Sequence, residues 1–192
     1  MDSLRRRGIL EGVKSLQGYF LVAAPTLTDP NFFRTVVLMV QHNDQGALGL
    51  VLNRRTRATV AEVCEKILEE SESAISGNVF HGGPCEGPLT ILHDEESAGD
   101  VPVLDGIHFT TERDKLEWLL RQHEGKAMVF VGYSGWSAGQ LETELQGNSW
   151  MLLKATARDV FDPQINWQRL LTRAFVSQYV PAHRIPPEAG VN

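Results

Sequence analysis

The residues most suggestive of chemistry are Gly135-Trp-Ser137-Ala-Gly139, which match the GxSxG pattern. In some hydrolases this pattern forms a sharp turn between a strand and a helix and exposes a nucleophilic serine. A downstream acid, Asp159 or Asp162, and then His183 follow in the order Ser, Asp, His. The sequence therefore raises a serine hydrolase as one hypothesis.

Three features weigh against that hypothesis. The preceding strand is predicted to end at Tyr133, so Ser137 would lie four residues beyond it and the turn would not be tight. His183 falls in a proline-rich tail, a poor place to hold a catalytic base. Ser137 and Gln140 also have the spacing of a capping box, which predicts Ser137 as a helix N-cap without any chemistry.

A second pattern is the run from His81 through Gly82 and Gly83 to Cys85. Cysteine beside histidine can form a thiolate–imidazole pair, and paired glycines can present backbone N–H groups to an anion. A packed thiol after a tight glycine turn is the simpler interpretation. The histidines and the two cysteines show no metal-ligand spacing, so we predict no metal and no cofactor.

A third set is polar and lies at predicted strand ends and helix starts, where binding sites are often built. Tyr133 and Trp136 could wall a pocket there, since aromatic rings supply contact area with a polar handle. The alternative is that Asp29 and Arg34 fix a loop, Asn43 shapes a turn and the aromatic rings are core. The candidate ligand-binding residues are Asp29, Arg34, His42, Asn43, Asn53, Gly82, Gly83, His93, Tyr133, Trp136, Gln140 and Glu144.

The elements that would position these residues follow from hydrophobic periodicity. Strands come in hairpins before each helix, and strict β-α-β alternation is absent, which favours an α+β fold with a mixed sheet. Cys64 falls on the apolar face of a helix that begins with a Thr59–Glu62 capping box, so we predict it in the core. Strands are predicted over 18–24, 34–41, 47–53, 78–81, 88–93, 101–104, 126–133 and 150–155, and helices over 3–16, 59–70, 112–123, 138–146 and 157–178 with a break near 162–163.

Composition narrows the class of protein. The chain has 192 residues, 42% hydrophobic and 22% charged, as is typical of a globular domain. Its net charge is −6, and its two dense basic runs, at 5–7 and 54–57, are short, which disfavours direct nucleic-acid binding. The longest apolar run, 36–40, is far shorter than the roughly 20 residues of a membrane helix, so we expect no membrane partner.

Three segments together resemble the YqgE/AlgH family. The first runs from Gly18 to Pro25 and on through His42-Asn43 to Asn53, the second is Gly82-Gly83-Pro84 with Leu92-His93, and the third runs from Gly132-Tyr133 through Gly139-Gln140-Leu141-Glu142 to Trp150. The resemblance covers about 18–175. It implies a bacterial cytosolic protein with its sheet curled into a pseudo-barrel and helices packed outside.

The resemblance implies no activity, cofactor or catalytic residue. Some members are labelled transcriptional regulators, a label that the acidic charge does not support. We therefore expect a non-enzymatic cytoplasmic binding or regulatory module for a ligand or protein partner. The serine hydrolase, and a transcription-associated regulator acting through protein contacts, remain alternatives. The expected organisation is an N-terminal extension over 1–17, the domain over 18–178 and a tail over 179–192.

Overall fold

The computed structural model describes residues 14–68 and 73–179, which form an α+β fold. The helices are α1 (Val60–Leu68), α2 (Arg113–Gln122), α3 (Gln140–Gln146), α4 (Ala157–Val160) and α5 (Trp167–Tyr179), with one 3-10 turn at Glu96–Ala98. The strands are β1 (Tyr19–Ala23), β2 (Val36–Asn43), β3 (Gly46–Val51), β4 (Arg55–Thr59), β5 (Asn78–His81), β6 (Thr90–His93), β7 (Val101–Leu104), β8 (Ile107–Thr110), β9 (Ala127–Val131), β10 (Ser134–Ser137) and β11 (Trp150–Lys154).

The strands form two sheets. Sheet A has the order β10-β3-β2-β1-β11 and is antiparallel. Sheet B has the order β4-β5-β9-β6-β8-β7 and contains one parallel pair, β5 with β9, so the prediction of mixed strand pairing is confirmed. Neither sheet closes into a barrel within the described residues. Hydrogen bonds nevertheless join the sheets at one corner, where the Val51 N–H donates to the Gly82 carbonyl at 2.9 Å.

The main core lies between the sheets. On β2, Leu38 faces sheet B, whereas Val37 and Met39 point to the outer face of sheet A. This explains the unbroken apolar run of β2, because both of its faces are buried. α3 covers the outer face of sheet A, α1 and α2 cover the outer face of sheet B, and α5 packs into the main core through Leu170 and Ala174.

Three strands were not predicted, and β10 shows why. The predicted strand over 126–133 corresponds to β9, which ends at Val131 in sheet B. Gly132 then adopts φ +69°, and the chain crosses to sheet A, where β10 begins at Ser134. β10 reads Ser-Gly-Trp-Ser and carries little apolar signal. β4 and β8 are the other two.

One predicted helix cap is wrong. Ser137 ends β10, and the N-cap of α3 is Gly139, in the left-handed conformation at φ +75°. The N-cap of α2 is Glu112, which makes no side-chain cap. Asp100, which lies just before β7, performs that task, because its carboxylate accepts the N–H groups of Thr111 at 2.7 Å and Glu112 at 3.1 Å.

Other local predictions are confirmed. Thr59 and Glu62 form the reciprocal capping box, with the Thr59 N–H donating to Glu62 Oε2 at 2.7 Å. Cys64 is fully buried, and the helical break lies between α4 and α5. Most of the predicted helix over 3–16, and nearly all of the predicted tail over 179–192, lie outside the described residues.

Candidate functional site

The structure distributes the predicted site residues over four places. The first lies beneath α3, where Glu144 accepts three hydrogen bonds. The indole Nε1 groups of Trp136 and Trp150 donate to its Oε2 at 3.0 and 2.8 Å, and Gln140 Nε2 donates to its Oε1 at 3.0 Å. Phe32 packs on both indoles, with centroid distances of 5.9 and 5.3 Å. This carboxylate ties α3 to β10 and β11.

His42 connects to the same helix through a second carboxylate. The Leu16 N–H donates to His42 Nδ1 at 2.9 Å, which fixes the ring proton of the neutral imidazole on Nε2. Nε2 then donates to Glu142 Oε1 at 2.8 Å. Both ring nitrogens are therefore used to hold α3 and the segment before β1 against β2. Neighbouring Asn43 closes the β2–β3 turn, since its Oδ1 accepts the Gln45 N–H at 2.9 Å.

The second place is the loop between β1 and β2. Asp29 Oδ1 accepts the Asn31 N–H at 2.7 Å, a local turn contact. Asn53 reaches across from the end of β3, accepting the Val36 N–H at 2.9 Å and donating to the Arg34 carbonyl at 2.8 Å. The Asp29 contact supports the interpretation that this residue fixes the loop, and the Asn53 contacts add a second link to it.

Arg34 is unusual within this loop. It adopts φ +55°, a left-handed conformation that costs free energy for any residue other than glycine. Its guanidinium lies over the Phe33 ring at 4.8 Å and over the Trp167 ring at 5.5 Å. Phe33 is 47% exposed, so an aromatic–cation–aromatic stack faces solvent here.

The third place is the corner where the sheets join. A Cβ on Gly82 would lie 2.3 Å from the Gly132 carbonyl oxygen, and one on Gly83 would lie 2.4 Å from the Tyr133 carbonyl carbon. Real Cβ atoms do not approach so closely, so both glycines serve the contact between two backbones. Tyr133 continues this contact by pairing with Cys85 in an isolated β-bridge. The glycine pair is thus explained without an anion.

Cys85 and His81 line an opening of about 370 Å³ beside this corner. Cys85 is half-buried and His81 is exposed. No hydrogen bond joins their side chains in the described structure, and both cysteines are free thiols. The thiolate–imidazole alternative therefore receives no support from the geometry.

The fourth place is inside sheet B, where His93 is completely buried. Its Nε2 lies 2.9 Å from the Thr110 hydroxyl, which itself donates to the Ala98 carbonyl at 2.6 Å. The hydroxyl therefore accepts from Nε2–H, and Nδ1 has no hydrogen-bond partner within the described residues. The pKa of His93 is lowered from 6.5 to about 4, chiefly by burial of the ring and in addition by the nearby rings of His108 and His123.

The serine of the GxSxG pattern is engaged by a glutamine. The Ser137 N–H and Oγ donate to Gln140 Oε1 at 3.1 and 3.2 Å. Of the two candidate acids, Asp159 pairs with Arg173 and Asp162 with Arg169. His183 lies outside the described residues. In the described part of the chain, no histidine is hydrogen-bonded to Ser137.

One sizeable opening in the described structure was not predicted. It is a cavity of about 500 Å³ at the edge of sheet B, between the β4-β5-β9 strands and the 161–165 connection. Half-buried Phe80, Met128, Phe161 and Ile165 provide its apolar floor. Its rim is polar, with the side chains of Arg55, Ser76, Asn78, Glu124, Lys126 and Asp162. The sequence contains no local signal for this cavity, because its lining residues form no motif and are separated by up to 110 positions.

The protein is therefore an α+β protein with two sheets that join at a glycine corner and helices on their outer faces. This fold is shared with known proteins. The AlgH-like family model (DUF179) matches residues 20–178, and the chain belongs to this family. The described residues contain no helix that is both long and apolar enough to cross a membrane.

The relatives are bacterial proteins without an assigned activity in their names. The UPF0301 protein Tgr7_2910 of Thioalkalivibrio sulfidiphilus is 41% identical over 162 residues, covering 80% of this chain and 87% of that protein. The UPF0301 protein PSHAa2600 of Pseudoalteromonas translucida is 33% identical over 187 residues, covering 93% and 99%.

Solved structures agree with the fold. The solution structure of AlgH from Pseudomonas aeruginosa superposes with a TM-score of 0.66 at 30% identity, covering 93% of this chain and 96% of that one. The crystal structure of DIP2367 from Corynebacterium diphtheriae gives 0.64 at 22% identity, covering 81% and 85%, and supports the fold alone.

Proposed function

We propose that this protein is a non-enzymatic binding module for a small organic ligand, and that its site is the 500 Å³ cavity at the edge of sheet B. The cavity itself is the observation that carries the proposal. Small-molecule sites are typically clefts of about 300–1,000 Å³ with apolar walls and a few polar groups. This cavity has such a volume and an apolar floor, and its rim is polar. A regulatory role would follow if ligand binding there altered contacts with another protein.

The polar residues predicted from the sequence support the choice of this cavity, because their polar atoms form hydrogen bonds within the protein. Glu144, His42 and Asn53 each bond to groups of the protein itself, so their polar atoms are already used. The candidate ligand-binding set therefore moves from these residues to the cavity rim.

The test is a set of thermal melts against nucleotides, common metabolites and divalent metals. A ligand present at about 100 times its Kd adds about 2.7 kcal/mol to the native state, which shifts the midpoint by several degrees. Ala74→Trp should fill the cavity from its rim and abolish the shift, whereas Ala138→Trp, an exposed alanine before α3, should preserve it. A panel without any shift, or a shift that Ala74→Trp retains, would contradict the proposal.

The serine hydrolase alternative makes an opposite prediction. It requires Ser137 to be activated by a base, whereas its hydroxyl bonds to Gln140 in the structure. We expect a fluorophosphonate probe to leave the wild-type protein unlabelled. Labelling that disappears in Ser137→Ala would establish the hydrolase instead.

A specific observation favours protein contacts as a second function. Arg34 stacks on exposed Phe33 in a strained backbone conformation, and aromatic and arginine side chains dominate binding hot spots. A partner captured from native lysate by the wild type should be lost with Phe33→Ala. It should be retained by Ile67→Ala, which truncates another exposed apolar side chain, 43% exposed on α1. Equal capture by both variants would exclude this surface.

The proposal includes a cytoplasmic location. Both thiols are free, Cys64 inside the core and Cys85 beside an opening, as is usual in a reducing compartment. Fractionation of the native cell, with the protein detected by antibody, tests it. Recovery in the membrane or extracellular fraction would contradict it.

A further inference from the structure

Hydrogen-bond donors of three neighbouring chain segments converge on the cavity rim. Arg55 comes from β4, Asn78 from β5 and Lys126 from the residue before β9, and these strands are adjacent in sheet B. Phe80 of β5 pairs with Arg55 of β4 and with Phe130 of β9, so the strand that carries Asn78 lies between the strands that begin beside the two cationic residues. The three side chains thus border one opening.

These donors have capacity left for a ligand. One guanidinium nitrogen of Arg55 donates to the Pro163 carbonyl at 2.8 Å, and the group also lies over the Phe80 ring at 5.7 Å. A guanidinium has five N–H donors, so most of them remain. Among the described residues, neither Arg55 nor Lys126 is in an ion pair with a carboxylate.

The acidic residues of the rim do not cancel this charge equally. Asp162 is engaged by Arg169 and by the Gln164 N–H at 2.8 Å, so its charge is matched locally. Glu124 is exposed and lies at the rim beside Gly125. A ligand that enters between Arg55 and Lys126 meets two cations and one uncompensated carboxylate.

The floor complements an apolar body. Phe80 and Met128 come from β5 and β9, and Phe161 and Ile165 approach from the connection between α4 and α5. All four are half-buried, so a flat hydrocarbon would cover surface that is now partly exposed to water. Burial of apolar surface provides affinity, and charged donors at the rim provide orientation.

We propose that the cavity binds an amphipathic organic anion, with a carboxylate, sulfonate or phosphate group between Arg55 and Lys126 and an apolar, ring-containing body across Phe80 and Met128. This inference rests on the proposed function, since it names the ligand class of the same cavity.

The experiment uses two fluorescent probes of similar shape, of which only one carries an anionic group. 8-Anilino-1-naphthalenesulfonate carries the anion, and N-phenyl-1-naphthylamine has the same rings without it. Binding to the full-length protein is measured by fluorescence titration. Only the part of the binding that is lost in Ala74→Trp and kept in Ala138→Trp is assigned to the cavity. Ser76→Trp repeats the block from a second rim residue in case the first variant does not fold.

The expected result is cavity-dependent binding of the sulfonate that weakens roughly tenfold in Lys126→Gln, since a charged hydrogen bond contributes about 1.4 kcal/mol or more. The neutral probe should change by less than about twofold on the same scale. Lys154→Gln, which removes the same charge from β11 of sheet A, should leave both affinities unchanged.

Two results would overturn the inference, and they differ. If both probes bind in the cavity and Lys126→Gln weakens neither, the anion class is wrong while the cavity still binds small ligands. If neither probe shows binding that the tryptophan variants abolish, the result contradicts both the proposal of an anionic ligand and the proposal that the cavity binds small ligands.

Discussion

Polar side chains behave differently beneath α3 and at the edge of sheet B. Beneath α3, the Glu144 carboxylate accepts three donors, and both ring nitrogens of His42 have partners. At the edge of sheet B, Arg55 and Lys126 border an open cavity and are not paired with a carboxylate within the described residues. The first arrangement stabilises the fold, whereas the second leaves donors available to a ligand.

The residues that stand out in the sequence are, in this protein, residues that hold the fold together. Tryptophan, histidine, glutamine and glutamate close to glycines look like a binding site, yet here they join elements of secondary structure. A buried polar network must satisfy all of its members, and that requirement selects particular residue types as strongly as a ligand would. Substitution of the conspicuous residues should therefore lower the stability of the fold, whereas substitution of the cavity residues should not.

The largest effect should come from Gly82→Ala. The new Cβ would lie 2.3 Å from the backbone oxygen of Gly132 and 2.8 Å from Leu50 Cδ2, at the corner that joins the two sheets. Because backbone atoms cannot move aside cheaply, we expect a loss of at least about 4 kcal/mol of unfolding free energy, or no folded protein. Denaturant titration measures it. Gly147→Ala, whose Cβ would meet only contacts of 3.5 Å or more, serves as the control and should cost less than about 1 kcal/mol. A mild Gly82→Ala variant would reopen the question of a ligand role for the glycine pair.

Glu144→Ala should be the next most damaging change. It leaves the buried indole N–H groups of Trp136 and Trp150 without their common acceptor. An unsatisfied buried donor costs about 1–3 kcal/mol, so we expect a loss of about 3 kcal/mol, measured by denaturant unfolding followed through tryptophan fluorescence. Gln146→Ala on the same helix is exposed and should change stability by less than about 0.5 kcal/mol. Equal effects of the two changes would show that the network contributes nothing particular.

Protonation of His93 at acidic pH should lower the free energy of unfolding. Its folded-state pKa, about 4, lies below the ordinary 6.5, chiefly because the buried ring favours the neutral form. The unfolded chain therefore binds more protons between these values, so this contribution to stability is complete above pH 6.5 and is lost as the pH falls toward 4. The loss amounts to about 3 kcal/mol, at about 1.4 kcal/mol per pKa unit.

Unfolding free energies measured from pH 7 to 4.5 test this. The slope in that window should be steeper for the wild type than for His93→Gln, which removes the titrating group. Identical slopes would show that the His93 pKa is not lowered in the folded protein. The stability role of this candidate site residue would then fail.

Much of the fold follows from local patterns in the sequence. The β2–β3 hairpin, the capping box at Thr59 and the interruption between α4 and α5 are all visible as periodicity or turn chemistry. What the sequence concealed depends on non-local geometry. The step of the chain from sheet B to sheet A at Gly132 becomes visible only in the structure, where two backbones cross. The N-terminus of α2 is satisfied by Asp100, which the β7–β8 hairpin brings back beside it.

The candidate site was concealed for the same reason. Arg55, Asn78 and Lys126 have ordinary local contexts, and only the pairing of β4, β5 and β9 brings them to one rim. A residue such as Trp136, by contrast, stands out locally beside glycines. Local prominence therefore identified the residues that build the fold and overlooked the residues that border its opening.

The smallest effect on stability should come from Lys126→Gln, and this makes it the sharpest test of the contrast. The Lys126 side chain is exposed, and the residue's structural contacts are made by its backbone. The N–H donates to Asp94 Oδ1 at 3.0 Å, and the carbonyl accepts the Asp94 N–H at 3.2 Å. Substitution preserves these backbone groups, so the free energy of unfolding should change by less than about 0.5 kcal/mol, as is usual for an exposed site. If denaturant titration instead gives a loss above about 1 kcal/mol, the ammonium group is part of the fold, as Glu144 is. The polar residues of both regions would then stabilise the fold, and the contrast between a structural region and a ligand-binding region would be wrong.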